Sequence, residues 1–368
     1  MKSSIIAAGT CLMALLSPVN AQQAEANPAK FGVIELGAKG IKPLVVTANS
    51  SEQPVKIPVS NKNFYDGAET IKNVAEEVLR LSGLMEGEYH VPKTQIYVVV
   101  SSGVPTEVTQ KDVSNALPSF LQDQVSVMPV TLESTYVFEG IVPPKRRKLN
   151  EVIVLDIGSG NSKGAYLTST GPDVFETYSV PMGTGTFAKK VNSVRKNGED
   201  FKTTALKVAS EEILPSLRSQ VRNKPGMQNC SRLYLAGGLP YVMSTLLHPE
   251  SIGSKDREDP SGKKESEWVP LSAKDINAFY AIATEHPEQL LKPDLSKIPA
   301  AKLADVQKEV GKAGGIFNQD ELTAGAILLK TFMDEMHFDR KEAIFFSRTA
   351  LYAWPLGFVS EKIKASKH

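Results

Sequence analysis

Apolar residues near the start of the chain form short runs that end at glycine, asparagine or serine. These runs lie at residues 29–37, 41–47 and 55–59. Runs of this kind, bounded by turn residues, are typical of strands. From 67 to 84 the apolar positions recur instead at the three- and four-residue spacing of an amphipathic helix. We expect Asp66 to cap that helix and Gly83 to end it.

Strands and helices continue to alternate after residue 95. Predicted strands lie at 95–101, 125–130, 151–156, 167–181, 232–236 and 342–347. Predicted helices lie at 112–124, at 202–221 and from 241 to 248, and most of the chain after a polar loop at 251–268 is expected to be helical. This alternation argues for α/β layers rather than a helical bundle or a β-sandwich.

A basic, proline-containing segment divides the chain. Pro143 and Pro144 precede four positive residues at 145–148, and such a charge run is usually exposed. We therefore expect an N-terminal domain at 22–142, a basic linker at 143–150 and a C-terminal domain at 151–368. The last helix is a candidate to pack back on the first domain.

Residues 1–21 have the pattern of a cleavable export signal. Lys2 is followed by an apolar stretch at 5–16 and by the small-residue end Val19-Asn20-Ala21. The apolar stretch is shorter than the roughly 20 residues that a membrane span needs. We expect a periplasmic or secreted protein with no membrane span after signal removal, and an uncleaved N-terminal anchor is the alternative.

The charge and cysteine content excludes several classes of protein. The 368 residues include 42 Lys and Arg against 41 Asp and Glu, a net charge of +1, and the signal residue Lys2 accounts for the surplus. This balance excludes a strongly basic nucleic-acid binder. Two cysteines, Cys11 and Cys230, cannot form a disulfide framework or a four-thiolate zinc site. An anion site in this chain would have to concentrate positive potential locally.

Two segments place a carboxylate at the end of an apolar strand, just before a glycine-rich turn. Glu35 does so in the first domain and Asp156 in the second, and a third glycine pair at 237–238 also follows an apolar strand. Unpaired amides of such turns form an anion cradle, and a carboxylate beside them suits a divalent cation. The alternative for either turn alone is a purely structural role. The candidate phosphate-binding residues are Gly37, Ala38, Lys39, Gly40, Gly158, Ser159, Gly160, Asn161, Ser162, Gly237 and Gly238.

The order of these turns resembles the actin, sugar-kinase and Hsp70 superfamily, and more closely its exopolyphosphatase and guanosine-pentaphosphate phosphatase branch. That family's first hairpin, Asp-x-Gly-Ser-Asn-Ser, corresponds to residues 35–40, and its second, Asp-x-Gly-Gly-Gly-Ser, is similar to 156–162. Segments at 179–183 and 324–357 resemble the family's later motifs. The resemblance covers most of the chain after the signal and implies a two-domain, ribonuclease-H-like actin fold with an interdomain cleft.

The resemblance also implies roles for particular residues. Glu133, in the segment 132–140, matches the family's catalytic glutamate, which positions the water that attacks a terminal phosphate. Asp156 and Glu35 would be ligands of Mg²⁺ or another divalent cation, and the substrate would be polyphosphate or a phosphate-containing small molecule.

The sequence also departs from the family pattern at three positions. Glu35 replaces an aspartate, Lys39 replaces an asparagine, and the arginine of a phosphate-contacting turn is missing from 101–105. Lys39 or the basic segment 145–148 could supply the lost charge, although an exposed interdomain loop is the simpler interpretation of 145–148.

Two functions follow from these observations. The first is a secreted hydrolase of phosphoanhydrides that uses Mg²⁺ and a water-positioning glutamate. The second is a catalytically degenerate actin-like protein that binds phosphate or a nucleotide, or acts as an assembly module, because fold alone does not imply a reaction. A homodimer is compatible with either function.

Overall fold

The computed structural model describes residues 29–48, 55–59, 70–104, 109–168, 174–252 and 268–365. The expected signal at 1–21, the expected cap Asp66 and most of the polar loop at 251–268 lie outside these residues. No helix in the described part of the chain is both long and apolar enough to cross a membrane.

The first half of the chain builds a five-stranded sheet. Its strands, in chain order, are β1 (Lys30–Gly37), β2 (Gly40–Thr47), β3 (Val55–Lys56), β4 (Ile96–Val100) and β5 (Val125–Val127). The order in space is β3-β2-β1-β4-β5, with β1 antiparallel to β2 and parallel to β4. Nearly every residue of β1 is buried, as expected for a central strand covered on both faces.

The second half builds a six-stranded sheet with the same central pattern. Its strands are β6 (Val152–Ile157), β7 (Ser162–Leu167), β8 (Phe175–Val180), β9 (Arg232–Ala236), β10 (Trp268–Leu271) and β11 (Ala343–Ser347). The order in space is β10-β11-β9-β6-β7-β8, with β6 antiparallel to β7 and parallel to β9. In both sheets, therefore, a strand that leads into a glycine turn lies at the centre.

One helix, at Thr184–Val194, lies where the sequence analysis expected none, and others differ from the expectation at their ends or are interrupted. The helices are α1 (Thr70–Gly87), α2 (Gln110–Ala116), α3 (Ser119–Gln122), α4 (Val130–Ile141), α5 (Thr184–Val194), α6 (Phe201–Val208), α7 (Leu214–Asn223), α8 (Gly226–Asn229), α9 (Gly238–Leu247), α10 (Ala273–Glu285), α11 (Pro287–Leu290), α12 (Ala300–Gly314), α13 (Gln319–Glu335) and α14 (Ala353–Ala365).

Three expectations for these elements were wrong. Helix α1 continues past Gly83 to Gly87, because a glycine inside a helix costs only about 1 kcal/mol. The expected helix at 112–124 is two short helices, since Leu117, which precedes a proline, is extended. The strand expected at 125–130 stops at Val127, and Val130 already begins α4.

Helices α4 and α14 lie together between the two sheets. One buried cluster unites residues of β1, β6, β7 and β9 with the apolar faces of both helices. The two helices approach closely at Gly140, where an added Cβ would lie 2.2 Å from the Ala353 carbonyl oxygen. The C-terminal helix thus supports α4, which carries Glu133 in its first turn.

Candidate functional site

The two glycine hairpins repeat one arrangement of charged residues. In the first, Glu35 lies directly opposite Lys42 on the neighbouring strand, and in the second, Asp156 lies opposite Lys163. Lys42 Nζ lies 2.8 Å from Glu35 Oε1, and Lys163 Nζ lies 3.1 Å from Asp156 Oδ2. Each domain therefore brings to the site a carboxylate and, seven residues later, the lysine that neutralises it.

The hairpins line a cleft of about 360 Å³ between the two halves of the chain. This volume lies in the range of small-molecule sites. Of the residues expected at the site, Glu35, Gly37, Ala38, Lys39, Gly40, Glu133, Asp156, Gly158, Ser159, Gly160, Asn161, Gly237 and Gly238 line the cleft. Ser162 is not among the lining residues, and its hydroxyl donates a hydrogen bond to the Met182 carbonyl oxygen at 2.8 Å.

Glu133 is buried at the floor of the cleft and is held from three sides. Its Oε1 accepts hydrogen bonds from the Ser101 hydroxyl at 3.0 Å and from Lys163 Nζ at 3.0 Å. Its Oε2 accepts one from the Ser102 amide at 2.8 Å. Burial alone would raise the pKa of Glu133, but the Lys163 charge and the Ser102 hydrogen bonds outweigh it and lower the pKa. The side chain is thus an ionised carboxylate.

Lys163 is the cation at the centre of the site. Its side chain is 3% exposed, and its ammonium group has three oxygen partners: Glu133 Oε1, Asp156 Oδ2 and, at 3.1 Å, Asn161 Oδ1. Burial alone would lower the pKa of Lys163, but Asp156 and Glu133 together raise it. The ammonium is therefore charged, and its three donors match three acceptors.

Glu35 and Ser159, two residues of the cleft lining, each carry a buried polar atom without a hydrogen-bond partner in the described part of the chain. These atoms are Glu35 Oε2 and Ser159 Oγ. Burial raises the pKa of Glu35 more strongly than Lys42 lowers it. Buried polar atoms without partners are costly, so a water that reached either atom would be stabilised.

The second hairpin presents backbone donors to the same space. Its turn is closed by the Gly158 amide, which donates to the Asn161 carbonyl oxygen at 3.1 Å. The amides of Ser159, Gly160 and Asn161 donate to no acceptor within the described part of the chain. Gly237 and Gly238 at the start of α9 line the same cleft, and the binding of an anion by these residues stays a prediction.

The two halves of the site touch each other directly. Asn161 Nδ2 donates to the Ser102 hydroxyl at 2.9 Å. An added Cβ on Gly160 would lie 1.7 Å from the Gly103 carbonyl oxygen, so glycine is required there for the close approach. At the mouth of the cleft, Lys39 Nζ lies 2.7 Å from Glu321 Oε1 on α13. Contacts therefore join the two sides of the cleft both at its floor and at its mouth.

Lys39 is the better candidate to replace the missing arginine of the family pattern. It lines the cleft, whereas residues 145–148 are not among the lining residues. Arg146 pairs with Glu151 at 2.7 Å, and Arg147 donates to the carbonyl oxygens of Glu139 and Val142. These contacts give the basic segment a structural role near the domain boundary.

The side chains present do not fit a magnesium ion held by Glu35 and Asp156. Mg²⁺ requires about six oxygens in a regular octahedron at about 2.1 Å, but each of these carboxylates is already paired with a lysine ammonium. Within the described residues, no group of three or more His, Cys, Asp or Glu side chains is arranged to hold a metal. We therefore assign no chemical step to a metal ion, and the magnesium requirement stays a prediction.

The sequence analysis missed the roles of Lys42 and Lys163. A signal was present, because each lysine follows its carboxylate by seven residues and falls in an otherwise apolar or small-residue strand. Lysine is almost never buried unless it is paired. A lysine at that spacing across a two-residue turn therefore predicts a cross-strand ion pair.

Solved structures share this fold. An exopolyphosphatase from Cytophaga hutchinsonii aligns with a TM-score of 0.61 at 13% identity, covering 90% of this chain and 98% of that chain. A Ppx/GppA phosphatase from Aquifex aeolicus aligns with a TM-score of 0.54 at 14% identity, covering 90% and 98%. An exopolyphosphatase-like protein aligns with a TM-score of 0.58 at 14% identity, covering 91% and 99%. The expected two-domain actin-like α/β fold is therefore confirmed.

Comparisons at the level of sequence give no further assignment. No protein-family model matches the chain, and no curated protein matches it.

Proposed function

We propose that this protein is a phosphoanhydride hydrolase of the exopolyphosphatase type. The observation that carries the proposal is Glu133, a buried, ionised carboxylate that lines the same cleft as the second hairpin, whose amides at 159–161 donate to no acceptor within the described residues. The fold shared with exopolyphosphatase structures supports the same reaction class. Hydrolysis of a phosphoanhydride needs these two parts, a group that aligns water and donors that stabilise charge on the phosphoryl oxygens.

In this proposal Glu133 acts on the attacking water. Its Oε2 accepts one hydrogen bond, from the Ser102 amide, and a carboxylate oxygen has capacity for another. A water that donates to Oε2 would be oriented toward a phosphorus atom seated against the second hairpin, and Glu133 would accept its proton. The amides of the hairpin would meanwhile stabilise the charge that develops on the phosphoryl oxygens.

The positive charge available to the phosphates comes from lysines away from the floor of the cleft. At the floor, Glu35, Glu133 and Asp156 are offset only in part by Lys42 and Lys163, so these five groups together do not attract an anion. Lys39 and Lys56 also line the cleft, and Lys39 becomes available when it leaves Glu321. Tripolyphosphate would therefore bind between these lysines and the cradle amides.

Replacing Glu133 by Gln tests the proposal. Glu133→Gln keeps the shape and can still accept from Ser102, but it cannot take a proton, so the turnover rate should fall by about 10²–10⁴-fold. The measurement is phosphate release from tripolyphosphate, long-chain polyphosphate, nucleoside triphosphates and guanosine penta- and tetraphosphate. Each assay is run with Mg²⁺ and with EDTA.

The matched control is Glu139→Gln, which changes a glutamate on the same helix outside the cleft lining. This variant should retain wild-type turnover. The proposal fails if wild type releases no phosphate from any of these substrates, or if Glu133→Gln is as active as wild type.

A phosphate-binding module without turnover is the second candidate. It is favoured by one observation, that three donors already occupy the Glu133 oxygens. Calorimetric binding of tripolyphosphate without phosphate release would establish this alternative.

We also propose that the protein acts after export. The support is the sequence pattern of residues 1–21, and the test is cell fractionation of the full chain against a variant that lacks these residues. Recovery of both proteins in the same compartment would contradict export.

A further inference from the structure

The carboxylates of the cleft are arranged around an ammonium group. Glu133 comes from α4, the helix between the two sheets, and Asp156 from a central strand of the second sheet, yet both have an oxygen within 3.1 Å of Lys163 Nζ. Two carboxylates that converge from different domains on one point would repel each other unless a cation lay between them. Lys163 is that cation, and it belongs to β7, the second strand of the same hairpin.

The Lys163 ammonium fills the space between these carboxylates and uses its hydrogen-bonding capacity there. Lys163 is almost fully buried, and its ammonium has oxygen partners in Glu133, Asp156 and Asn161. A divalent ion could reach these oxygens only if the ammonium gave up all three partners and left the floor. Lys42 pairs with Glu35 in the same way, with Nζ 2.8 Å from Oε1, although the Lys42 side chain is 42% exposed.

We propose that Lys163 is the built-in replacement for a divalent cation, so that this cleft binds phosphoanhydrides without a metal ion at its floor. The inference rests on the proposed function for the ligand class, but the cation itself can be tested without any phosphate. Lys163 is here a positioning residue: it holds Glu133 and Asp156 in place across the two domains.

The first experiment measures metal binding alone. Wild-type protein, stripped with EDTA and dialysed, is titrated with Mn²⁺ and followed by electron paramagnetic resonance. We expect no stoichiometric site. Lys163→Met removes the charge while keeping a long apolar stem, and it should gain one Mn²⁺ per chain. The additional change Asp156→Asn should abolish that site. Lys190→Met, which removes an exposed lysine paired with Glu212 at 2.9 Å, is the matched control and should behave as wild type.

The second experiment measures binding of tripolyphosphate to wild type by calorimetry, in EDTA and in Mg²⁺. We expect the two dissociation constants to agree within about threefold, which is less than 1 kcal/mol. A larger loss of affinity in EDTA overturns the inference. So does a stoichiometric Mn²⁺ site in wild type, or a folded Lys163→Met protein that binds no Mn²⁺.

The two experiments separate the two proposals. If wild type binds tripolyphosphate under neither condition, the proposed function fails, while the Mn²⁺ titrations still decide the role of Lys163. If Lys163→Met does not fold, the wild-type measurements alone decide it.

Discussion

At the scale of single residues, the site depends on charges that are buried together. Glu133 and Lys163 are each almost completely removed from water and are 3.0 Å apart. Such a pair adds little net stability over an apolar pair of the same shape, but removing one partner leaves a buried charge uncompensated. These two residues therefore determine whether the floor of the cleft is ordered.

Lys163→Met should destabilise the fold by about 3–5 kcal/mol near neutral pH. It should also reverse the pH dependence that Glu133 contributes. In wild type the pKa of Glu133 lies below its ordinary value of 4.5, so its contribution is present above that pH and is lost as the pH falls through the lowered pKa. In the variant the cation is gone and burial raises the pKa, so stability should fall as the pH rises through the raised value.

Urea unfolding between about pH 5 and about pH 8 measures this difference. The stabilisation from the raised pKa of Lys163 is fully present below its ordinary value of 10.5 and is lost only at higher pH, so it is constant across this window. The double variant Lys163→Met with Glu133→Gln should recover part of the lost stability, since one unpaired charge is then removed. Parallel pH curves for wild type and Lys163→Met would show that the pair is not coupled.

Sequence reasoning recovers the carboxylates of the site but not their partners. Glu35, Glu133 and Asp156 are visible because each belongs to a motif of small residues or to a resemblance. Lys42 and Lys163 were missed because their roles depend on which residues face each other across a turn. The seven-residue spacing was visible in the sequence, and the pairing of the strands shows that it brings each lysine back to its carboxylate.

At the scale of elements, α14 fixes the position of α4 and thereby of Glu133. The two helices approach each other at Gly140, against the backbone of Ala353. Tyr136 on α4 also donates a hydrogen bond to Glu361 on α14, and burial with that bond raises the pKa of Tyr136. A displaced α14 would therefore move the catalytic candidate.

Gly140→Ala should destabilise the protein by about 1–3 kcal/mol, because the new methyl group must push the helices apart. Gly83→Ala is the matched control. Its site in α1 has no atom within 4 Å of the added Cβ, so this change should stabilise by about 0.5–1 kcal/mol. Thermal unfolding measures both effects, and equal melting temperatures for the two variants would contradict this account of the helix contact.

The elements that were hardest to predict are those fixed by their neighbours. Strand β10 was missed because it is four residues long and contains Pro270, which its place at the sheet edge tolerates. The long helix expected at 202–221 is interrupted by a π-helical turn at Ala209–Ile213. The alternation of apolar runs, by contrast, was sufficient to predict the α/β class.

At the scale of the whole molecule, the two halves of the chain meet through the apolar cluster around α4 and α14 and through polar contacts that line the cleft. Three of them join the two halves: Glu133 with Lys163, Ser102 with Asn161, and Lys39 with Glu321. The first two lie at the floor and the third at the mouth. We expect the contact at the mouth to open for substrate and to close again over it, because closing an active site excludes bulk water.

Lys39→Ala should open the mouth with little loss of stability, since a partly exposed ion pair contributes about 0–1 kcal/mol. The chain has two tryptophans, and Trp354 lines the cleft. In a Trp268→Phe background, acrylamide should quench Trp354 fluorescence more strongly in Lys39→Ala than in the parent.

Raising the salt concentration should have the same effect on the parent, because it screens the same ion pair. Lys93→Ala, which removes the exposed pair with Glu86, is the control and should leave quenching unchanged. If quenching in Lys39→Ala equals that of the parent, this ion pair does not govern access to the cleft.

The repeated acid and lysine of the two hairpins also offer a way to sort related sequences. In a related sequence, the residue aligned with 42 or 163 records whether the hairpin supplies an ammonium group for its carboxylate. Relatives with lysine at position 163 should tolerate chelating agents, whereas those with a neutral or acidic residue there should be inhibited by them. A survey of the residue at position 163 would thus divide related proteins into those that need a divalent cation and those that do not, without knowledge of their substrates.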